Sequence, residues 1–236
     1  MAEPLLILPT LMADARAYLP IINRQLPRRP VQVALVPDAP DLGEAAKRVL
    51  AQAPRQFALF GHGLGALVAM HVVLDAPQRV TRLILMGGTG QSETPSTAAA
   101  QEELLVKANT GALGAAILQA TGVSGQSKSA ERDRLEEQVL AMSFDLGAGL
   151  FEPQLRLIQR RPDIQAALRK ITCPTLIVGG DSDPMFPVRG MEFMANIMPV
   201  AKLQVVKGAG AWLPLEAPER CAEMVDEFLP DALVLG

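Results

Sequence analysis

Residues 57–75 read FALFGHGLGALVAMHVVLD, and this stretch decides the fold. It begins with a continuous apolar run at residues 57–60, passes through a glycine-rich segment at 61–65, and resumes at Ala66 with apolar residues at helical spacing. A short continuous apolar run is typical of a strand that is buried on both faces, as in a parallel sheet. The stretch therefore predicts a buried strand, a tight turn and a helix, with Gly63 in the turn.

The same glycines also fit a second pattern, G-x-G-x-x-A, formed by Gly61, Gly63 and Ala66 after a strand. In a dinucleotide-binding unit, this pattern occupies the first strand-to-helix turn and is followed about 20 residues later by an Asp or Glu. Here two strand-like runs precede the turn, and residues 83–87, at the end of the next strand, include no acidic residue. The sequence therefore disfavours a nucleotide site.

Five further strand-like runs surround this turn, at residues 5–8, 31–36, 82–86, 175–178 and 202–206. The region from 87 to 161 breaks the alternation, because it contains helical segments and a Gly/Ser-rich loop at 122–129 but no strand-like run. Alternating strands and helices with short connections predict an α/β fold, with a mainly parallel sheet of about six strands flanked by helices. We expect one domain over residues 1–236, with a helical insertion at about 91–161.

Composition restricts the classes of partner. The 236 residues are 49% apolar and carry a formal net charge of -3 without a basic run, which disfavours nucleic acid and membrane surfaces. No segment has the length and apolarity of a membrane span and the N-terminal residues do not resemble a signal peptide, so a cytoplasmic location is expected. The two cysteines lack metal-binding spacing and there are two histidines, so no metal and no cofactor are predicted.

Four motifs occur in an order that resembles the α/β-hydrolase superfamily, in particular small bacterial members with a short helical cap. They are residues 8–11 (LPTL), similar to the segment that supplies an oxyanion-hole amide; residues 61–65 (GHGLG), similar to the nucleophile elbow G-x-S-x-G; residues 180–183 (GDSD) with Pro187, similar to the loop of the catalytic acid; and residues 208–212 (GAGAW) with 216–219 (EAPE), similar to the segment of the catalytic histidine. The resemblance implies the α/β-hydrolase fold, with the helical insertion in the position of the cap.

By this resemblance the positions of the catalytic triad are Gly63, Asp183 and Ala211, so the acid is kept while the nucleophile and the base are absent. Glycine has no side chain with which to attack a carbonyl, and the acid of a triad only orients the histidine. His62 corresponds to a packing residue beneath the elbow. The elbow is also similar to that of aminoacrylate- or carbamate-hydrolase members of pyrimidine catabolism, which have alanine for the serine but keep the histidine.

The resemblance also predicts a small-molecule pocket above Gly63. The backbone amides of Leu11 and Leu64 are expected to bind a carbonyl or carboxylate oxygen, because an oxyanion hole needs no side chain. The expected lining consists of Thr10, Met12, Met86, Met142, Met185, Phe186 and Trp212. Because two reactive side chains are missing and the lining is rich in methionine, we expect an enlarged pocket that suits a small apolar acid, ester or lactone.

Three functions follow from this interpretation. We interpret the chain as a non-hydrolytic pseudoenzyme that binds a small ligand or a protein partner. An alternative is a hydrolase or lyase of the same fold that acts on a small substrate, such as a carbamate or an aminoacrylate, through the oxyanion amides and water without a covalent intermediate. A further alternative is an engineered inactive esterase.

Overall fold

The sheet has six strands in the residues that the computed structural model describes, 3–123 and 129–229. The strands are β1 (Leu5–Leu8), β2 (Val31–Val33), β3 (Phe57–His62), β4 (Val80–Met86), β5 (Thr175–Gly180) and β6 (Ala201–Val206). Their order across the sheet is β2-β1-β3-β4-β5-β6, and every neighbouring pair is parallel. The predicted α/β-hydrolase fold with a parallel sheet of six strands is confirmed.

The second strand is shorter than the predicted run of residues 31–36, because the chain leaves the edge of the sheet after Ala34. The Ala34 N–H still donates to the Ile7 carbonyl at 2.9 Å, and Leu35 beyond it is exposed.

Helices flank the sheet. They are α1 (Leu19–Gln25), α2 (Leu42–Gln52), α3 (Leu64–Asp75), α4 (Pro95–Lys107), α5 (Leu113–Ala120), α6 (Ala130–Leu146), α7 (Phe151–Gln159), α8 (Gln165–Leu168), α9 (Val188–Ile197), α10 (Leu213–Glu216) and α11 (Pro218–Phe228), with 3-10 turns at Ala15–Tyr18 and Ala148–Leu150 and a π turn at Ala108–Ala112. Residues 124–128, most of the predicted Gly/Ser-rich loop, lie outside the described residues. Across the described ranges, no helix combines the length and the apolar character that a membrane span requires.

The centre of the sheet is a rigid support for the turn that follows β3. Every residue of β1, β3 and β5 is buried. Helix α3 is apolar almost all round, and nine of its 12 residues are buried because α2, α7 and three strands surround it. A helix enclosed in this way is held by packing along its whole length, so its first turn has a fixed position relative to the sheet.

The strand order reverses between β1 and β3. The chain passes from β1 to β2 on one side and then to β3 on the other. In open parallel sheets, the crevice at the carboxyl ends of two such strands is where binding sites are built. Leu8 pairs with Gly61 in the register of β1 and β3, so two further residues along each strand bring Thr10 opposite Gly63.

The helices between β4 and β5, α4–α8, cover this crevice. The predicted insertion at 91–161 corresponds to α4–α7, which contain no strand in their described residues. Two of these helices bind the backbone of Met12: the Gln154 Oε1 accepts from its N–H at 2.9 Å, and the Ser143 hydroxyl donates to its carbonyl at 3.2 Å. Met12 has a φ of 54°, so these contacts hold the segment after β1 in a conformation that a side-chain-bearing residue rarely adopts.

Candidate functional site

Gly63 is the turn residue between β3 and α3. Its φ and ψ are 52° and -116°, a combination that is strained for a residue with a side chain. Its N–H donates to the Met86 carbonyl at 2.9 Å, and its own carbonyl accepts from the first turn of α3. A Cβ at Gly65 would lie 2.0 Å from the Leu8 carbonyl oxygen, so only glycine allows α3 to begin this close to β1. The turn is therefore as sharp as the sequence predicts.

The side chain of Thr10 occupies the space beside Gly63. A Cβ built on Gly63 would lie 2.0 Å from the Thr10 Oγ1 and 2.8 Å from its Cβ, both shorter than any van der Waals contact. Rotation of the threonine side chain moves the hydroxyl but leaves the Cβ in place. Thr10 therefore fills the volume in which a serine at the elbow would have its side chain.

Asp183 lies in the loop after β5 and is 6% exposed. Its Oδ1 accepts from the Met185 and Phe186 N–H groups at 2.7 and 3.0 Å. Its Oδ2 is buried and has no hydrogen-bond partner in the described part of the chain. Burial raises the pKa of this carboxyl from 3.8 to about 6, with a smaller contribution from the charge of Glu216, while the two amides act in the opposite direction. The acid is thus held by the backbone on one oxygen and left unpaired on the other.

His62 joins the elbow to the loop that contains Ala211. Its Nε2 lies 2.8 Å from the Ala211 carbonyl, and its Nδ1 lies 2.9 Å from the Tyr18 hydroxyl. A carbonyl only accepts, so we assign the Nε2–H tautomer, with Nδ1 accepting from the tyrosine. The tyrosine oxygen in turn accepts from the Thr10 N–H at 3.0 Å. Burial lowers the pKa of His62 to about 4, so the ring is neutral at physiological pH and acts as a structural link.

The loop after β6 is fixed from both sides. Gly210 donates its N–H to Glu216, and the Trp212 indole N–H donates to the Thr121 carbonyl at 3.1 Å. Trp212 is 1% exposed, so its ring closes the site beneath the helical segment. Ala211 lies between these two attachments, and its side chain is a single methyl group.

The cavity above Gly63 has a volume of about 20 Å³, enough for one water molecule. Its walls include eight of the residues expected at the site: Thr10, Leu11, Gly63, Leu64, Met185, Phe186, Ala211 and Trp212. The backbone amides of Leu11 and Leu64 take part in no hydrogen bond among residues 3–123 and 129–229. The two residues whose amides were expected to bind an oxyanion therefore border a space that is large enough for one water molecule.

The expected enlargement of the pocket was wrong. The two missing side chains do not leave a ligand-sized space, because Thr10 takes up the volume beside Gly63. Met12, Met86 and Met142 are not part of the cavity wall; all three are buried in the hydrophobic core. Asp183 also lies off the wall, behind Gly87, where a Cβ would approach its Oδ2 to 3.5 Å.

Several residues of the site were missed by the sequence analysis. The cavity wall also contains Gly87, Ala120, Thr121 and Ile158, and Tyr18 supports it through His62. Tyr18 is the only tyrosine of the chain and lies at helical spacing among apolar residues, which marks it as buried but not as a partner of His62. The others are small or apolar residues whose position depends on how the helical segment packs, so no local sequence signal identifies them.

A family model described as alpha/beta hydrolase fold matches residues 49–218, and the chain belongs to this family. The matched region contains the elbow, the acid loop and the loop of Ala211.

Two curated relatives are similar to most of the chain. It is 27% identical over 180 residues to the 2-hydroxymuconate semialdehyde hydrolase of Pseudomonas sp. (strain CF600), covering 74% of this chain and 62% of that protein. It is 28% identical over 164 residues to RutD of Klebsiella pneumoniae, a protein named for carbamate hydrolysis, covering 68% of this chain and 61% of that protein. The matches thus span about three fifths of the length of these relatives.

The solved structure of a malate-bound thermophilic esterase from Thermogutta terrifontis superposes with a TM-score of 0.81 at 20% identity. The alignment covers 97% of this chain and 90% of the esterase. At this identity the likeness concerns the fold alone.

Proposed function

We propose that this chain is a non-hydrolytic member of the α/β-hydrolase family, with small-ligand binding as its function. The observation that supports this best is the position of Thr10, whose Oγ1 lies 2.0 Å from where the Cβ of an elbow serine would be. A covalent mechanism needs a nucleophile on the elbow and a base beside it, and Gly63 and Ala211 provide neither.

The position of Thr10 also argues against an engineered inactive esterase. A serine at residue 63 of a parent enzyme would overlap with Thr10 at both the hydroxyl and the Cβ. A parent enzyme that differed from this chain only at residues 63 and 211 would therefore contain a steric clash between its serine and Thr10.

A test of the main proposal combines labelling with turnover. A serine-directed fluorophosphonate probe should leave the chain unlabelled, and p-nitrophenyl esters of short acids should turn over near the background rate. Catalysis by binding and oxyanion amides alone reaches about 10³ to 10⁴ over water in a serine protease without its triad, so a weak rate without a burst is compatible with the proposal. A burst of product or a labelled elbow peptide would refute it.

A second candidate function is hydrolysis without a covalent intermediate. Two relatives are named as hydrolases, and Leu11 and Leu64, whose amides make no hydrogen bond among the described residues, line the cavity. The Asp183 carboxyl, with a pKa of about 6, lies behind Gly87, which is part of the cavity wall. In such a mechanism Asp183 would take a proton from water while the Leu11 and Leu64 amides bind the carbonyl oxygen. Carbamates, lactones and ring-cleavage dienoates are the substrates to assay. Turnover that disappears in Asp183→Asn would favour this function over the first.

A further inference from the structure

A groove lies beside the cavity, on the other side of Phe186. Its volume is about 450 Å³, within the range of small-molecule sites and far above the 20 Å³ over Gly63. Phe186 belongs to the walls of both spaces. The groove runs between the loop after β4, which contributes Thr89 and Gln91, and the first turns of α9.

One face of α9 provides a cation and an aromatic ring. Arg189 and Phe193 are four residues apart, so they lie one above the other on the helix, and both line the groove. Phe193 is 43% exposed, so its ring is accessible from the groove that it lines. Arg189 is exposed and takes part in no ion pair or hydrogen bond of the described residues, and the first turn of α9 contains no acidic residue.

A second arginine close to the groove, Arg161, is paired with a carboxylate. Arg161 lies over the ring of Phe186 at 5.9 Å, is almost buried, and forms an ion pair with Glu93. Its charge is therefore already compensated within the protein. Arg189, by contrast, lines the groove and forms no ion pair within residues 3–123 and 129–229.

The opposite wall offers polar groups at close range. The Thr89 Oγ1 accepts from the Gln91 N–H at 3.2 Å, which leaves its O–H able to donate. Gly190 allows the two walls to approach, since a Cβ there would lie 3.3 Å from that Oγ1. A carboxylate between Arg189 and Thr89 would thus meet a charged donor on one side and a hydroxyl on the other.

We propose that this groove binds a small monocarboxylate with a flat apolar body, with the carboxylate on Arg189 and the Thr89 hydroxyl and the body against Phe193. The charge of Arg189 selects an acid over the ester or lactone that the sequence left open, and a single guanidinium matches a monoanion. The net charge of -3 provides no general attraction for anions, so selection comes from this local arrangement. This inference rests on the proposed function, which is the binding of a small ligand. It adds that the ligand binds in the groove.

Titration of the ¹⁵N-labelled protein with phenylacetate, followed by amide shifts, tests the proposal. The shifts should concentrate at Thr89, Gly190 and Phe193, with a dissociation constant of about 1 mM because a ligand of this size makes few contacts. Phenylacetamide, which has the same shape without the charge, should bind about tenfold more weakly. Arg189→Gln should weaken phenylacetate about tenfold and bring it to the level of the amide.

Two further variants complete the design. Phe193→Ser should weaken both probes about threefold to tenfold, because it removes the aromatic contact that they share. Arg55→Gln is the matched control, since Arg55 is also exposed but precedes β3, at the other end of the parallel strands. Equal affinity for acid and amide, shifts outside the groove, or no shift up to about 20 mM phenylacetate, some 20 times the constant expected for so small a ligand, would overturn the proposal. Labelling and ester turnover test the proposed function at the elbow, whereas the amide shifts test ligand binding in the groove. The two proposals can therefore fail independently.

Discussion

The elbow and the acid loop lie at the same end of the sheet, and each borders a position where the resemblance would place a reactive side chain: residue 63 at the elbow and residue 211 beside the acid loop. At the elbow the space is occupied, because Thr10 packs where a serine would be. At the acid loop it is not, because the Asp183 Oδ2 remains buried without a partner. The register of β1 and β3 explains the first outcome, since it brings Thr10, at the end of the neighbouring strand, opposite Gly63.

The acid loop keeps its shape for a different reason. Backbone N–H groups of Met185 and Phe186 hold one oxygen of Asp183, and the Asp181 Oδ1 accepts from the Gly208 N–H at 2.8 Å. None of these contacts involves residue 211. The position of the acid loop therefore does not depend on the side chain at residue 211, whereas the space beside Gly63 is filled by the side chain of Thr10.

The largest effect is expected for Gly63→Ser, which introduces a side chain at the elbow, where Thr10 already fills the space. The new Cβ overlaps with Thr10, and the positive φ adds backbone strain, so we expect a loss of about 3 kcal/mol in the free energy of unfolding. Urea denaturation measures this value. Adding Thr10→Gly should recover most of the loss, because it removes the overlapping atoms. A Gly63→Ser variant as stable as the parent would show that Thr10 does not fill the elbow.

The next effect is a gain of activity in the triple variant Thr10→Gly, Gly63→Ser, Ala211→His. It places a hydroxyl on the elbow and an imidazole where the Asp183 Oδ2 has no partner, so p-nitrophenyl acetate hydrolysis should rise about tenfold to a hundredfold over the parent. The double variant that keeps Thr10 should gain less, since the threonine overlaps with the new serine. Equal rates in the double and triple variants would contradict the role given to Thr10.

Asp183→Asn tests the unfilled side. The folded carboxyl has a pKa of about 6 against 3.8 in the unfolded chain, so its penalty is absent below about pH 4, grows as the pH rises to 6, and stays constant above that. The full penalty is about 3 kcal/mol, but asparagine buries an unpaired amide, so we expect a gain of about 1 to 2 kcal/mol at pH 8. Urea denaturation at pH 4.5 and 8 should show the gain shrinking at the lower pH. The exposed Asp38→Asn serves as the control, and a destabilised Asp183→Asn at pH 8 would mean that Oδ2 has a partner.

Thr10→Ala gives the smallest expected effect and measures how well the filling side chain packs. It removes a hydroxyl and a methyl group from a half-buried position beside a small cavity, so a loss of about 1 kcal/mol is expected. The measurement is the same urea titration, with no change in the m-value if the variant leaves the compactness of both states unaltered. No change in stability would indicate that the elbow is held by the glycine backbone alone.

The fold was predicted from the sequence because it depends on local patterns. Apolar runs gave all six strands, and the glycines at 61–65 gave the turn, since a short strand-to-helix connection can be read from residues that are adjacent in the chain. The sequence also shows directly that residue 63 is glycine and residue 211 is alanine, because residue types, unlike contacts, are read from the sequence itself. The sequence did not predict which side chains occupy the space around Gly63.

The filling of that space depends on side chains that are far apart in sequence. Thr10 and Gly63 meet through strand register, and Met12 and Met142 were expected at the pocket because of their residue type, although both are packed in the core. A methionine in a sequence indicates an apolar environment but not which side of a buried layer it faces. Arg189 and Phe193 were not singled out either, because an exposed cation and an exposed ring become informative only when the opposite wall of the groove is known.

The hydrogen bond from His62 to residue 211 has an evolutionary consequence. It ends on a carbonyl oxygen, which every amino acid carries, so the position of this loop does not depend on which side chain residue 211 has. The side chain at residue 211 and the fold of its loop can therefore change independently of each other. A substitution at residue 211 therefore leaves this hydrogen bond, and with it the position of the loop, in place.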